Sequence, residues 1–560
     1  MKFETRNLLK QAAQSIREGN IGQAHEYINQ VLISPDNDAE AYLELGKLYI
    51  VLGNYPLASV YVRQSFDMEK SVETLELLAR ANYLAEKYDM VAIEYEELIK
   101  HTPKREYYEF CMKAYEKKDY YEESIRIAKM YNYAVGDVST YAELLIRYIV
   151  AGMEEDAKIT AEEMQKLFPN NAHTYNMLGL YEECINNDYD KAKEYFKKSA
   201  TSGNKKAYYN LGVCCKQSED FENAEKYLSK LKSIADEVDK NYNYTLGTLY
   251  FSERKLRLGY KYYSKREVVH KQKEAYKDCL WDGKSYPKET LYINMEQGFG
   301  DNIMFARYLQ FLTGKFKKIY IGTYPALLSL FKHNFETEKY PNLEIVSVEE
   351  RVKFNKYALM TDLPYLLHKT FHNIPSEESY IEASERNVEL IRKNVFAKDK
   401  NLKIGLCWRA KGMGLRDAVY RTIDAPYYFK PIMDLPDVSY YSFQFGDIFD
   451  MCKKYPQITD LTNHINDFAD TAGALKNIDI LITVDTALAH LAGAMGVKTY
   501  LLLCHAPDWR WFDNDKKTEW YPSVTIIKQQ DRKTWEDVSE KLTKYIKKEV
   551  KNHTQKHEKT

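Results

Sequence analysis

Large and small apolar residues recur at helical spacing along the first 260 positions, and the spacing itself repeats. Tyr42, Leu45, Gly46, Tyr49, Gly53, Tyr55 and Ala58 form one copy, and Leu8, Ala12, Gly19 and Ala24 fit the same template 34 residues earlier. Tyr141, Leu144, Tyr148, Gly152, Ala157 and Pro169 repeat it. So do Tyr175, Leu178 and Gly179, then Tyr208, Leu211, Gly212 and Ala224, then Leu246, Gly247, Tyr250 and Gly259. Residues 72–103 and 105–135 are weaker copies. The alternation of large and small predicts two short antiparallel helices per copy, closely packed and stacked on the next pair. About eight such copies over 1–260 predict an all-α solenoid with a concave inner surface. The pattern is one of packing, without a catalytic signal. Its predicted role is a groove for a peptide or protein.

After residue 260 the period changes. Residues 261–285 are basic and helical, then turn-like at Trp281-Asp282-Gly283, and read as a linker. Short apolar runs at 291–295, 317–323, 344–348 and 357–361 alternate with helical stretches near 302–312 and 325–332. A second set lies at 403–408, 438–444, 478–484, 498–504 and 524–528, with a last helix near 534–549 and a polar tail over 550–560. Alternating strands and helices predict parallel, doubly wound sheets. Two sets joined by a helical stretch near 381–395 predict two Rossmann-like halves, 286–395 and 396–549, facing a cleft. In such folds a ligand sits at the carboxyl ends of the strands.

Two strand-to-helix loops there carry chemistry. In the first, Gly298 and Gly300 let the backbone turn sharply and let a ligand come close, just before Asp301. No third glycine completes a dinucleotide fingerprint, which disfavours an NAD-dependent oxidoreductase. Asp301 stands at a helix start, where free N–H groups favour the ionised carboxylate. It reads either as a general base or as a helix cap. In the second loop, Leu488, Leu491, Ala492 and Met495 form the buried stripe of a helix, with Gly496 as its terminator. Thr486 and His490 are i, i+4 neighbours on another face. A hydroxyl, an imidazole and backbone N–H groups at one helix start suit a diphosphate, with Asp485 as the N-cap that organises the loop. Arg409, Lys411, Arg416 and Arg421 follow the strand at 403–408, where phosphate charge would need them.

Composition narrows the classes. The 560 residues suggest three to five domains, and 45% hydrophobic with 29% charged residues is a globular mix. A net charge of -2 excludes a general nucleic-acid or membrane polycation. No apolar run approaches the ~18–20 residues of a membrane span, and Met1–Ile16 lacks the apolar core of a secretory signal. The 8 cysteines show no CxxC spacing. The expectation is a reduced, cytoplasmic chain.

The second half resembles bacterial tetratricopeptide-repeat proteins that carry a GT-B glycosyltransferase domain of the ADP-heptose:lipopolysaccharide heptosyltransferase type. The matching segments are WDG (281–283), EQGFGDNIMFARYL (296–309), IGLCWRAKG (404–412), DFADTAGAL (467–475), DTALAHLAGAMG (485–496), PDWRW (507–511) and EWYPS (519–523). The repeats ahead of them are more loosely similar to protein O-GlcNAc transferase architecture. The resemblance implies an inverting, metal-independent transfer from a nucleotide sugar, with no cofactor beyond that donor. It implies that Asp301 is the base and that Asp485, Thr486, Ala487 and His490 bind the donor diphosphate. Ala487 departs from the glycine many heptosyltransferases have there. Lys411, with Arg409 next, takes the place of the family's phosphate-binding lysine. Gln444 is a candidate contact to the nucleobase or ribose. The implied acceptor is a protein, such as flagellin or an autotransporter, or a surface glycan, brought in by the repeats. The rival expectation is a noncatalytic adaptor with a degenerate sugar-nucleotide domain.

Three features read as decoys. Asp513-Asn514-Asp515 resembles a metal-binding DxD motif but lies in a polar loop. Trp509 and Trp511 read equally as a stacking surface or as packing. Asp467 and Asp470 read as helix caps.

Overall fold

The structure, a computed structural model, describes residues 1–35, 37–118, 120–234, 241–296, 298–376, 379–410, 421–423, 426–446, 451–512, 516–531 and 534–557. The chain forms two compact units, Met1–Pro169 and Asn170–Thr560.

Met1–Pro169 is a series of tetratricopeptide-type helical hairpins. Phe3–Arg17 pairs with Ile21–Ile33, Ala39–Val51 with Tyr55–Met68, and Val72–Leu84 with Tyr88–His101. Arg105–Lys117 with Tyr121–Val135 and Val138–Val150 with Glu154–Leu167 complete it. Polar residues start these helices: Asp38 accepts from the Ala41 N–H at 3.0 Å, Ser71 from Thr74 at 3.0 Å, and Asp137 from Thr140 at 2.9 Å. The weaker copies form regular hairpins as well. Where the template has Leu-Gly they carry Leu78-Ala79 and Cys111-Met112, and all four side chains are fully buried. The packing position is kept although the residue type is not.

Asn170–Thr560 begins with three more hairpins, Ala172–Cys184 with Tyr189–Thr201, Lys206–Gln217 with Phe221–Ile234, and Tyr242–Ser252 with Leu256–Tyr263. The last closes tightly, since a Cβ on Gly247 would stand 2.7 Å from the backbone N of Tyr263. Residues 261–285, expected as a linker, are a packed part of the unit. They hold the helix Glu267–Ala275, and Trp281 is buried in one core cluster with Phe251 and Tyr263 of the last hairpin. The repeat array therefore does not end as a separate body at residue 260.

Two parallel sheets follow. The first contains β1 (Tyr286–Asn294), β2 (Phe316–Thr323), β3 (Leu343–Ser347) and β4 (Lys356–Leu359), in the order β3-β2-β1-β4. The second contains β5 (Leu402–Cys407), β6 (Val438–Ser442), β7 (Ile458–Asp460), β8 (Ile480–Val484), β9 (Thr499–Leu503) and β10 (Val524–Lys528), in the order β10-β9-β8-β5-β6-β7. Ile293 pairs with Ile321 on one side and Ala358 on the other, and Ile404 pairs with Ile480. Numbered within its half, the second sheet has the doubly wound order 3-2-1-4-5-6. Its strand order reverses between β5 and β8, and that of the first sheet between β1 and β4. Both faces of the second sheet are covered, as parallel sheets require. Leu481 and Leu501 join the core shared with the first sheet, and Ile404, Ile480 and Tyr500 pack under Trp535, Val538 and Leu542.

Two expectations are corrected. Strand β7 was not anticipated, because three residues are too few to show a period. The expected polar tail is not a tail, since the last helix runs over Glu536–His557. Among the described residues no helix is long and apolar enough to cross a membrane, and no disulfide forms.

Candidate functional site

The site grows from the two switch points. After β1 the chain turns at Glu296 and Gly298 into the short helix Phe299–Phe305. Asn302, fully buried, ties this turn. Its Oδ1 accepts from the Glu296 N–H at 3.3 Å, and its Nδ2 donates to the Gly298 carbonyl at 3.0 Å. The buried Glu296 carboxylate pairs with Arg266 and accepts from the Thr361 hydroxyl. The N-cap, Gly298, has no side chain to bond the first turn, and Asn302 organises the loop. The Asp301 carboxylate is thus left for another partner.

That partner is Arg510, in the turn after β9. Its Nε and Nη2 donate to the two carboxylate oxygens of Asp301 at 2.6 and 2.8 Å. Its Nη1 donates to Asp508 at 2.6 Å. Burial opposes the Arg510 charge, but Asp301 and Asp508 outweigh it and raise its pKa well above the usual arginine value. Burial likewise disfavours the Asp508 charge, and Arg510 overcomes it, holding that carboxyl below its usual range.

The helix Ala487–Ala494 after β8 stands against the first loop. Thr486, not Asp485 as expected, is its N-cap residue in extended conformation, and its hydroxyl meets that of Thr483 at 3.2 Å rather than capping the helix. Thr486 and Ala487 are partly exposed, whereas Asp485 and His490 are buried. His490 lies between Trp511, stacked at 4.9 Å and 13°, and the Tyr521 hydroxyl, 3.0 Å from its Nδ1. Burial lowers its pKa to about 4. Burial thus favours the neutral ring, whose Cδ2 edge faces Gly300.

The basic loop is only partly described. Residues 408–410 pair with 421–423 as a short hairpin, Ala410 N donating to the Arg421 carbonyl at 3.2 Å and Ile423 N to the Trp408 carbonyl at 2.9 Å. Lys411 and Arg416 fall between these arms, outside the described residues. The Arg421 side chain reaches Asp485, its Nε 3.2 Å from Oδ2 and 3.1 Å from the carbonyl oxygen. Gln444 is committed internally. Its Oε1 accepts from the N–H groups of Trp408 and Arg409 at 3.2 and 2.9 Å, and its Nε2 donates to the Phe445 carbonyl at 2.9 Å. It shapes the loop after β5.

Thus Gly298, Gly300, Asp301, Asp485, Thr486, Ala487 and His490 come together around the facing loops, and Arg409 with Gln444 borders them at the end of β5. Arg510 was missed from the sequence, because its partner Asp301 lies 209 residues away and the flanking tryptophans mask it. Trp509 and Trp511 are buried and pack. Arg307 was missed as well. Buried in the join, it donates to the carbonyls of Met304, Pro375 and Trp520 and to the Tyr380 hydroxyl. Asp467 caps its helix through Ala469 N and Asp470 N, as expected, and Asp513-Asn514-Asp515 lies outside the described residues. Among the described residues no group of three or more His, Cys, Asp or Glu side chains is spaced to hold a metal ion.

No family model matches the sequence. Protein FlbA of Caulobacter vibrioides is 23% identical over 284 residues, which span 46% of this chain and 46% of that protein. The chain thus matches about half of FlbA's length. Among solved structures, a tetratricopeptide repeat protein from Parabacteroides merdae is 14% identical, with a TM-score of 0.31, over 46% of this chain and 99% of its own. YrrB, a TPR protein with an unusual peptide-binding site, is 12% identical, with a TM-score of 0.24, over 30% of this chain and 87% of its own.

Proposed function

We propose that the chain is an inverting, metal-independent glycosyltransferase of the cytoplasm. It moves a sugar from a nucleotide-sugar donor to a hydroxyl on a protein or glycan acceptor, and the repeats receive that acceptor. The reading is carried by the meeting of two switch points, which sets the Asp301 carboxylate beside a helix start and a cluster of arginines. The start of Ala487–Ala494 offers N–H groups and the positive end of its dipole to a diphosphate. Arg409, just past the end of β5, adds positive charge. In the reaction the acceptor oxygen attacks the anomeric carbon opposite the diphosphate. The new carbon–oxygen bond forms as the bond to phosphate breaks. The hydroxyl proton passes to Asp301, and the electron pair leaves with the nucleoside diphosphate.

One observation favours a second reading, a noncatalytic adaptor: Arg510 occupies both oxygens of Asp301. A direct experiment separates the two. The purified chain is incubated with a nucleotide-sugar panel and bacterial protein extract, and sugar-mass additions are sought by mass spectrometry. Transfer that is lost on Asp301→Asn is expected. Transfer undiminished in that variant rejects Asp301 as the base, and absence of transfer with every donor supports the adaptor.

A further inference from the structure

The Asp301–Arg510 pair has a consequence for donor binding, which rests on the glycosyltransferase reading above. We propose that Arg510 is a ligand of the donor diphosphate that Asp301 holds in reserve, so that donor binding and release of the base are one event.

The geometry supplies the competition. Arg510 presents a planar fork, and two of its edges are taken, one by Asp301 and one by Asp508. A diphosphate offers the same paired oxygens as a carboxylate and carries more charge, so it competes for the fork that Asp301 uses. Asp508 stays with Arg510 throughout, because it also accepts from the Arg510 backbone N–H at 3.1 Å. The arginine is thus anchored at one edge and exchangeable at the other.

The placement supplies the target. Arg510 sits in the turn Trp509–Trp511, and Trp511 stacks on His490 within the helix Ala487–Ala494. The turn is fixed from below as well, by the Trp520 indole N–H donating to the Arg510 carbonyl. The guanidinium therefore stands beside the helix whose start would take the phosphates. The chemistry then closes. A carboxylate with both oxygens in an arginine fork keeps only its outer lone pairs for an incoming hydroxyl. Transfer of Arg510 to the diphosphate clears Asp301 at the moment a donor is present, and at no other time.

The test is calorimetric titration of the full chain with UDP, GDP and ADP. Asp301→Asn keeps the shape and removes the competing charge, so it should bind the preferred nucleoside diphosphate about three- to tenfold more tightly. Arg510→Gln should bind it about tenfold or more weakly. The double variant Asp301→Asn/Arg510→Gln should bind as weakly as Arg510→Gln alone, because the gain exists only through Arg510. The double variant also leaves no unpaired carboxylate at position 301, so it decides the matter if Arg510→Gln does not fold. Unchanged or weaker binding by Asp301→Asn, or wild-type affinity in either Arg510 variant, overturns the inference and leaves the glycosyltransferase reading standing. A wild-type chain that binds none of the three overturns both.

Discussion

A methyl group on Gly300 would stand 2.8 Å from Cδ2 of His490 and 3.4 Å from Cα of Ala487. The loop after β1 therefore rests directly on the helix after β8, and only a glycine leaves room for it. Gly300→Ala should force the buried imidazole or the helix start to shift. The expected cost is about 1–3 kcal/mol in denaturant titration, together with loss of transfer. An alanine variant of wild-type stability would show that the two loops are not in contact.

His490 gives the chain a pH signature. Its folded pKa of about 4 lies below the ordinary histidine value, so the unfolded chain binds a proton more readily. Stability from this group is fully present above about pH 6.5 and is lost as pH falls towards about 4, to the extent of roughly 3 kcal/mol. The difference in unfolding free energy between wild type and His490→Gln should therefore shrink as pH falls through that window. A difference that stays constant from pH 7 to 4 would mean a solvated, ordinary histidine.

The last repeats belong energetically to the sheets. Phe251 packs on Trp509 with ring centroids 4.6 Å apart, and Arg254 reaches Glu519 at 2.6 and 2.8 Å. A truncated chain starting at residue 170 should fold cooperatively. One starting at 286 loses Phe251, Tyr263, Arg266 and Trp281 and should not. The loss of a single buried aromatic ring costs about 3–5 kcal/mol. A soluble, cooperatively melting 286–560 fragment would contradict this.

Gln444 should act through the loop it holds. Gln444→Ala removes the acceptor shared by the Trp408 and Arg409 N–H groups and should cost about 1–3 kcal/mol. Donor binding should weaken without any change in nucleobase preference. A changed preference at unchanged stability would instead restore the base contact expected from the sequence.

Among the described residues, the repeats and nine of the ten strands were legible because their signals are local. A 34-residue spacing of Tyr, Leu, Gly and Ala reports helix packing, and runs such as 498–504 report strands buried on both faces. The loops carrying Asp301 and Thr486 were legible for the same reason, since each follows its strand directly. What was not legible depends on distant partners. Nothing near Asp301 announces Arg510, more than two hundred residues away. His490 reads as a possible ligand until Trp511 and Tyr521 enclose it. Asn302 looks like any helix residue, yet it ties the turn that Asp301 was thought to cap. Tyr263 and Arg266 look like the end of an array, but their contacts lie in the core and on Glu296.

Binding of a nucleotide sugar by the facing loops can be read in a thermal-shift series. The full chain is melted with UDP-, GDP- and ADP-linked sugars, with NAD as control. A ligand bound only by the folded state adds about 2.7 kcal/mol at a hundredfold excess over its dissociation constant. Selective stabilisation by one nucleotide-sugar class is expected. No shift with any nucleotide sugar, or a shift with NAD alone, would contradict it.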